Sequence, residues 1–304
     1  MGNGLTLGAL RIRHEMRIPK TFSSVAIIGP GRIGQAMGRL LAQAGVPIAC
    51  VAARRRAAAK RAVEFIRMGK AVGLADLKPE SASIFLITTA DAAVAAVAHL
   101  LARQGHGKRA WKGKVVLHTC GSLTSSALRP LKLRGAATGS LHPFQTVPSP
   151  QAGVRNLHGG FWGLEGDRQA LRKAKQLVNF MAGVNFPVRP GKKTLYHLSA
   201  FIVCPTVVTL MAQAMNLLKL AGVPAKVARP MLLQFVAQTA GNFSDLGPRR
   251  ALTGPVVRGD WATIRRHQIA LRKSAPEFVP VYQSLLKEML RLAGSFGVPR
   301  SGMK

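Results

Sequence analysis

Acidic side chains are scarce in this 304-residue sequence: 11 Asp plus Glu face 44 Lys plus Arg, a formal charge of +33. No paired carboxylates and no H-E-x-x-H stand in it, so neither a two-carboxylate hydrolase nor a metal centre is indicated. Cysteine is almost absent as well. Cys50, Cys120 and Cys204 lie far apart with no C-x-x-C, which excludes a disulfide framework and a cysteine zinc site and points to a reduced, cytoplasmic protein. Aromatic residues make up 6% of the chain and do not interleave with the basic ones, as a stacking platform for single-stranded nucleic acid requires. The basic residues are dispersed, the longest run being Arg54-Arg55-Arg56. The charge therefore reads as a solvated surface with nonspecific attraction to polyanions.

Residues 1–22 contain no continuous apolar segment of the secretory kind. Met1-Gly2-Asn3-Gly4-Leu5-Thr6 matches the N-myristoylation pattern by its letters, but reads as a tail, and Met16 is an alternative start. The stretch 194–218 carries no Lys, Arg, Asp or Glu and is long enough to cross a bilayer. It also holds His197, Ser199, Pro205, Gln213 and Asn216, which are costly in lipid. The expectation is a helix buried between protein surfaces, with no membrane partner.

What is present is a hydrophobic fraction of 48%, enough for a core in two domains. Apolar runs at 24–28, 46–52, 83–88, 114–119 and 136–141 alternate with helical patterns at 32–44, 57–68 and 91–102. That alternation predicts an α/β, doubly wound, Rossmann-type parallel sheet covered on both faces. Strands at 161–166 and 184–188, around a helix at 168–181, extend the same sheet. Long helices follow at about 194–221, 225–241, 259–273 and 276–293, a mainly α-helical C-terminal domain. The expected divisions are a tail at 1–23, a dinucleotide-binding domain at 24–155, a helical domain for substrate and dimerisation at 156–298, and a tail at 299–304.

Between the first strand and helix, Gly29-Pro30-Gly31-Arg32-Ile33-Gly34 fits G-x-G-x-x-G. Gly29 permits the turn, Gly31 lets a pyrophosphate approach the backbone, and Gly34 lets the helix lie close on the strand. The N–H groups opening that helix then attract the phosphates. Past the second strand an NAD protein places an acid for the ribose hydroxyls. Here Ala52-Ala53-Arg54-Arg55-Arg56 stands instead. Guanidinium groups at Arg54 and Arg55 suit a 2′-phosphate, so the expected cofactor is NADP. Thr88, Thr89 and Gly121, at later strand ends, are assigned to the same cofactor, and Ser122 to the substrate.

The words around these glycines resemble a bacterial family that joins a Rossmann-like NADP-binding domain to a C-terminal domain of unassigned function. That family is similar to ketopantoate reductase and the 6-phosphogluconate dehydrogenase superfamily. Carrying the resemblance are Val25 to Gly34, His118-Thr119-Cys120-Gly121-Ser122-Leu123, Ser140-Leu141-His142-Pro143-Phe144-Gln145-Thr146, Tyr196-His197 and Leu252 to Asp260. Cys120 and Cys204-Pro205 depart from it, standing where Ser and Ser-Asn are frequent. The resemblance implies an oxidoreductase that reduces a small keto acid or similar carbonyl, ketopantoate-like. It also implies a Lys that polarises and protonates the carbonyl, with a polar partner one helical turn on. Lys193 and His197 have that spacing on one helix face, and Lys192 is an alternative owner of the role. His142, after a strand end, is a third candidate for chemistry; His118 and Cys120 occupy another strand end. Thr253, Arg258 and Asp260, with His267, form the polar set of the last word. Arg258 suits a substrate carboxylate, and Asp260 is as well read as a helix N-cap. Expected partners are a carboxylate substrate and a second copy of the chain. The rival readings are a nonenzymatic NADP-binding sensor and a nucleic-acid binder.

Overall fold

The computed structural model describes residues 23–294, so the tail residues, the myristoylation match and the Met16 start lie outside the described residues. Strands and helices alternate through the first part: β1 (Val25–Ile28), α1 (Arg32–Gln43), β2 (Ile48–Ala53), α2 (Arg56–Ile66), β3 (Lys70–Gly73), β4 (Ile84–Ile87) and α3 (Val94–Arg103). There follow β5 (Val115–His118), α4 (Arg129–Lys132), β6 (Ala137–Pro143), α5 (Pro150–Leu157), β7 (Phe161–Gly166), α6 (Arg168–Phe180) and β8 (Val184–Pro187). The remainder is helical: α7 (Lys193–Leu220), α8 (Ala225–Ala251), α9 (Pro255–Arg258), α10 (Trp261–Ser274) and α11 (Val279–Gly294).

All eight strands join one sheet in the order β3-β2-β1-β4-β5-β6-β7-β8. The pairs from β3 to β6 are parallel, β6 meets β7 antiparallel, and β8 runs parallel to β7. Strand side chains alternate between faces, and here both faces are dry. Val25, Ile27, Ile84 and Leu86 enter a core with Met37 and Leu41 of α1 and Leu177 of α6. Ala26, Ile28, Phe85 and Val116 enter a second core with Ala98 of α3, Trp111 and Leu131. Double burial explains why these strands read as continuous apolar runs.

The sheet is dominated by parallel pairs, as the alternation predicted, with β6–β7 paired antiparallel. Other expectations need correction. β3 is an added edge strand whose short segment Lys70-Ala71-Val72-Gly73 has too little apolar character to register as one. α5 begins at an N-cap, Ser149, whose hydroxyl accepts from the Ala152 N–H with Pro150 in the first turn, a start signal that the sequence did contain. α8 continues through Gly241 to Ala251, broken only at Gly247, where φ is 72°; an interior glycine costs a helix about 1 kcal/mol, too little to end one. The chain divides into two compact units between Phe201 and Ile202. The division expected at 155/156 falls inside the first unit, because β7 and β8 hydrogen-bond onto its sheet.

The second unit has a small core of Val256, Ile264 and Ala293, with Leu252, Trp261, Leu286 and Leu290 against it. The stretch Pro190–Leu220 is long and apolar enough to cross a membrane by length and composition, with mean hydropathy 1.8. Its apolar window is not buried within the chain. Phe201, Ile202 and Val208 on α7 and Leu233, Phe235 and Phe243 on α8 are exposed.

Candidate functional site

Each turn at the carboxyl ends of β1, β2, β4, β5 and β6 carries chemistry, and β1, β4 and β5 are adjacent. At the end of β1, Gly29 has φ of 76°, and a Cβ there would lie 2.3 Å from Thr89 Cγ2. A Cβ on Gly34 would lie 2.2 Å from Thr88 Oγ1, so α1 approaches β4 only because position 34 has no side chain. A Cβ on Gly31 would meet nothing closer than 4.0 Å, which leaves its backbone open to an approaching group. Gly31 also precedes the first turn of α1, and no side chain caps that turn.

Four of the assigned residues make contacts within the protein. The Thr88 hydroxyl bonds the Gly29 carbonyl at 2.7 Å and the Ile28 carbonyl at 3.2 Å, so it clamps the glycine loop. Ile33 packs against the first core and has only its backbone N–H to offer. The Arg32 guanidinium reaches the Pro148 carbonyl at 3.3 Å. Pro30 accepts from Gln35 Nε2 at 3.0 Å through its carbonyl. Thr89 is different: its Oγ1 is buried without a hydrogen-bond partner. An orphaned hydroxyl costs about 1–3 kcal/mol unless something bonds it, and it sits beside the glycine turn.

A cavity of about 670 Å³ is lined by Gly29, Gly31, Arg54, Arg55, Thr89 and Val97, among others. Arg54 and Arg55 are exposed at its β2 edge. These residues fit an NADP-type dinucleotide: open amides at Gly31, an unsatisfied hydroxyl at Thr89, and cations without a ribose-binding acid beside Ala53. From β2 to β6 is four strand spacings, roughly 19 Å, so a nucleotide lying along the edge would present its far end at β5 and β6.

At that far end the residues converge. Lys193, in the first turn of α7, is 2% exposed; its Nζ donates to Ser140 Oγ at 2.6 Å and to the Cys120 carbonyl at 3.2 Å. Burial lowers the Lys193 pKa, while Glu165, Cys120 and Asp91 oppose that shift. Lys192 is exposed, so Lys193 is the lysine aimed inward. His142 Nδ1 lies 2.8 Å from Tyr196 Oη, and burial, then His197 and Lys193, holds its pKa down to about 4. It is neutral at physiological pH. Burial pushes Tyr196 up to about 12, so the phenol keeps its proton and can donate to Nδ1, leaving the imidazole proton on Nε2.

Gly121 stands in the middle of this group. A Cβ there would lie 2.6 Å from His197 Cδ2 and 2.7 Å from His142 Nε2. The two imidazoles are edge-on with centroids 5.8 Å apart. His197 and His142 therefore flank one glycine, with Lys193 on the Cys120 carbonyl just before it, and Tyr196 rather than His197 bonds His142. Tyr196 also packs against Phe144 and Phe186, which seats the start of α7 on β6 and β8. Ser122 Oγ lies 3.3 Å from Cys120 Sγ. His118 is structural: its Nδ1 accepts from the Cys120 N–H and its Nε2 faces the Thr124 carbonyl, with burial holding its pKa down to about 4.

The substrate assignments on the second unit are not supported alike. Asp260 caps α10, accepting from the Thr263 N–H at 3.0 Å and its hydroxyl at 2.7 Å; the carboxylate serves the helix start. Thr253 and Arg258 are exposed on the segment before it. Sequence reasoning missed Ser140, Tyr196 as a hydrogen-bond partner, and Glu165. Among the described residues no cluster of three His, Cys, Asp or Glu suits a metal ion.

The Rossmann-like domain family matches residues 12–143, and a domain of unknown function, DUF2520, matches residues 160–289. The chain joins a Rossmann-like domain to a DUF2520 domain. Lys193, Tyr196 and His197 belong to the DUF2520 region and Gly29 to Gly34 to the Rossmann-like one. No curated protein matches the sequence. Solved structures share the fold over most of their length. BF3122 from Bacteroides fragilis, provisionally assigned as an NADP oxidoreductase, superposes with TM-score 0.72 at 21% identity, covering 88% of this chain and 98% of its own. Protein TM1727 from Thermotoga maritima gives 0.70 at 22%, covering 90% and 100%. A reductive aminase from Aspergillus terreus, in complex with NADPH and ethyl-5-oxohexanoate, gives 0.66 at 18%, covering 89% and 94%. At these identities the likeness is one of fold.

Proposed function

We propose that the Rossmann–DUF2520 chain binds NADP(H) along the β2–β1–β4–β5 edge and reduces a small carbonyl compound bearing a carboxylate, a 2-keto acid of the ketopantoate kind. The observation that carries this reading is the buried Lys193 amine, fixed by Ser140 and the Cys120 carbonyl beside the His142–Gly121–His197 group. NADPH, when bound, supplies a hydride. The protein's tasks are then to orient the acceptor and deliver a proton to its oxygen. Lys193 uses two of its three N–H donors on the protein, which leaves one for that oxygen. Burial lowers its pKa, the direction a proton donor working near neutrality requires. Neutral His142, oriented by Tyr196, presents Nε2 to the same space. Ser122 is the proposed carboxylate contact.

Neighbouring folds named for NADP oxidoreduction and reductive amination support the cofactor and widen the acceptor class. The test is an NADPH-oxidation screen over 2-keto acids, ketopantoate included, with and without added amine. Lys193→Ala is expected to abolish turnover while NADPH still binds. Retained turnover would move the proton donor elsewhere; NADPH binding with no consumption in any arm would make the chain a sensor. We also propose that a second copy covers α7 and α8. A core as small as that of the second unit does not stabilise long helices with apolar outer faces, and patches of that size on a lone chain mark interaction sites.

A further inference from the structure

Among the described residues one Asp or Glu side chain is buried and one Lys or Arg side chain is buried: Glu165, 6% exposed, and Lys193, 2% exposed. Both belong to the same corner of the fold. Glu165 lies on β7 directly opposite Ser140 of β6, and residues facing each other across an antiparallel pair share a sheet face. Ser140 Oγ is the atom that Lys193 holds at 2.6 Å. The Glu165 carboxylate meanwhile accepts from the Ser125 N–H at 2.7 Å and from its hydroxyl at 2.6 Å. The two charges do not touch: the Lys193 amine bonds Ser140 and the Cys120 carbonyl, and the carboxylate bonds Ser125. They interact across Ser140.

Burying an ammonium without a nearby anion drives it toward the neutral amine. The groups that face Lys193 are Glu165 from β7, Cys120 after β5 and Asp91 before α3, with His118 and His142 alongside. Asp91 is exposed and so screened by solvent and salt. Glu165 is the anion that burial leaves strong.

We propose that Glu165 is a positioning residue for Lys193, supplying the buried negative charge that keeps the amine protonated on Ser140 while its bonds to Ser125 fix the Gly121–Ser125 segment against the same amine. This rests on the reading of Lys193 as proton donor. A purely structural role for Glu165, as an anchor of Ser125, makes a different prediction. Glu165→Gln keeps both bonds to Ser125, the amide oxygen accepting from N–H and the amide nitrogen donating to the hydroxyl, but removes the charge. Ser125→Ala keeps the charge and loses the hydroxyl bond.

The experiment follows the Lys193 side-chain nitrogen by 15N NMR across pH in the full chain, without substrate, the signal being identified by its loss in Lys193→Ala. Glu165→Gln is expected to lower the titration midpoint by about one pH unit or more, a tenfold loss of proton affinity, with Ser125→Ala and Asp91→Asn shifting it far less. In the active chain the alkaline limb of NADPH oxidation moves by the same interval. An unmoved midpoint in Glu165→Gln, or an equal shift in Ser125→Ala, overturns the proposal. Should Glu165→Gln not fold, Glu165→Asp, which withdraws the charge by one methylene, must still lower the midpoint. A shifted midpoint in a chain that oxidises no NADPH would sink the reductase reading alone and leave the counter-charge standing.

Discussion

Replacing Gly34 by alanine tests the glycine turn from the inside. On an exposed helix the change stabilises by about 1 kcal/mol, because glycine is the poorer helix former. At position 34 the added Cβ would lie 2.2 Å from Thr88 Oγ1 and 3.2 Å from the Gly29 carbonyl oxygen. Thr88 cannot retreat without giving up its bonds to Gly29 and Ile28. Overpacking costs about 1–3 kcal/mol and a stranded buried hydroxyl a similar amount. The net expectation is a loss of about 2–4 kcal/mol in urea unfolding, together with weaker NADPH binding as the turn is displaced. Thr88→Ala removes the atom in the way, so the double variant should be more stable than the sum of the two losses by about 1 kcal/mol or more. A Gly34→Ala chain as stable as the parent, or strict additivity in that cycle, refutes the close approach of α1 to β4 that the argument requires.

The cofactor, pH and assembly readings each have a direct check. Arg54→Ala with Arg55→Ala should reduce an NADPH-over-NADH preference of about tenfold, worth about 1.4 kcal/mol, to near parity by fluorescence titration, with NADH affinity unchanged; a surviving preference removes their 2′-phosphate role. His118 titrates near 4 in the fold against 6.5 ordinarily, so below pH 6.5 the unfolded chain takes up a proton that the folded chain refuses. Stability should therefore fall by about 2 kcal/mol between pH 7 and pH 5 from this residue, a slope that His118→Asn flattens; an equal slope in the variant contradicts the assignment. Phe235, exposed beside an apolar groove of about 660 Å³ formed with Leu217, Leu218 and Met231, should be the seat of the second copy. Phe235→Glu is expected to shift the mass in sedimentation from dimer to monomer, and a parent chain already monomeric would refute the covered face.

Local physics explains what was legible. Strand and helix periodicity marked β1, α1, β2, β4, β5 and α6 because doubly buried strands and one-sided helices leave strong patterns. Gly29, Gly31 and Gly34 mark a turn by their spacing directly after a strand, although the close neighbours that require Gly29 and Gly34 are Thr89 and Thr88. The spacing of Lys193 and His197 was readable for the same reason: one turn of helix places both on one side. β3 left no pattern, since an edge strand of four residues buries too little to constrain its composition.

Assignments that depended on partners distant in sequence were invisible. Thr88 looked like a cofactor contact and Thr89 its equal, yet the fold ties one hydroxyl to Gly29 and leaves the other unsatisfied. Asp260 could be cap or ligand until its carboxylate was seen closing on Thr263. Thus the chain's letters by themselves determined a glycine-rich strand–helix turn, the lack of an acid after the second strand, an excess of cations and a helical second half, because each is a property of contiguous residues. Only the tertiary structure decided that Glu165, Ser140 and Lys193 form one buried charge arrangement, because strand pairing across 25 residues and the docking of α7 bring together groups that no spacing rule relates.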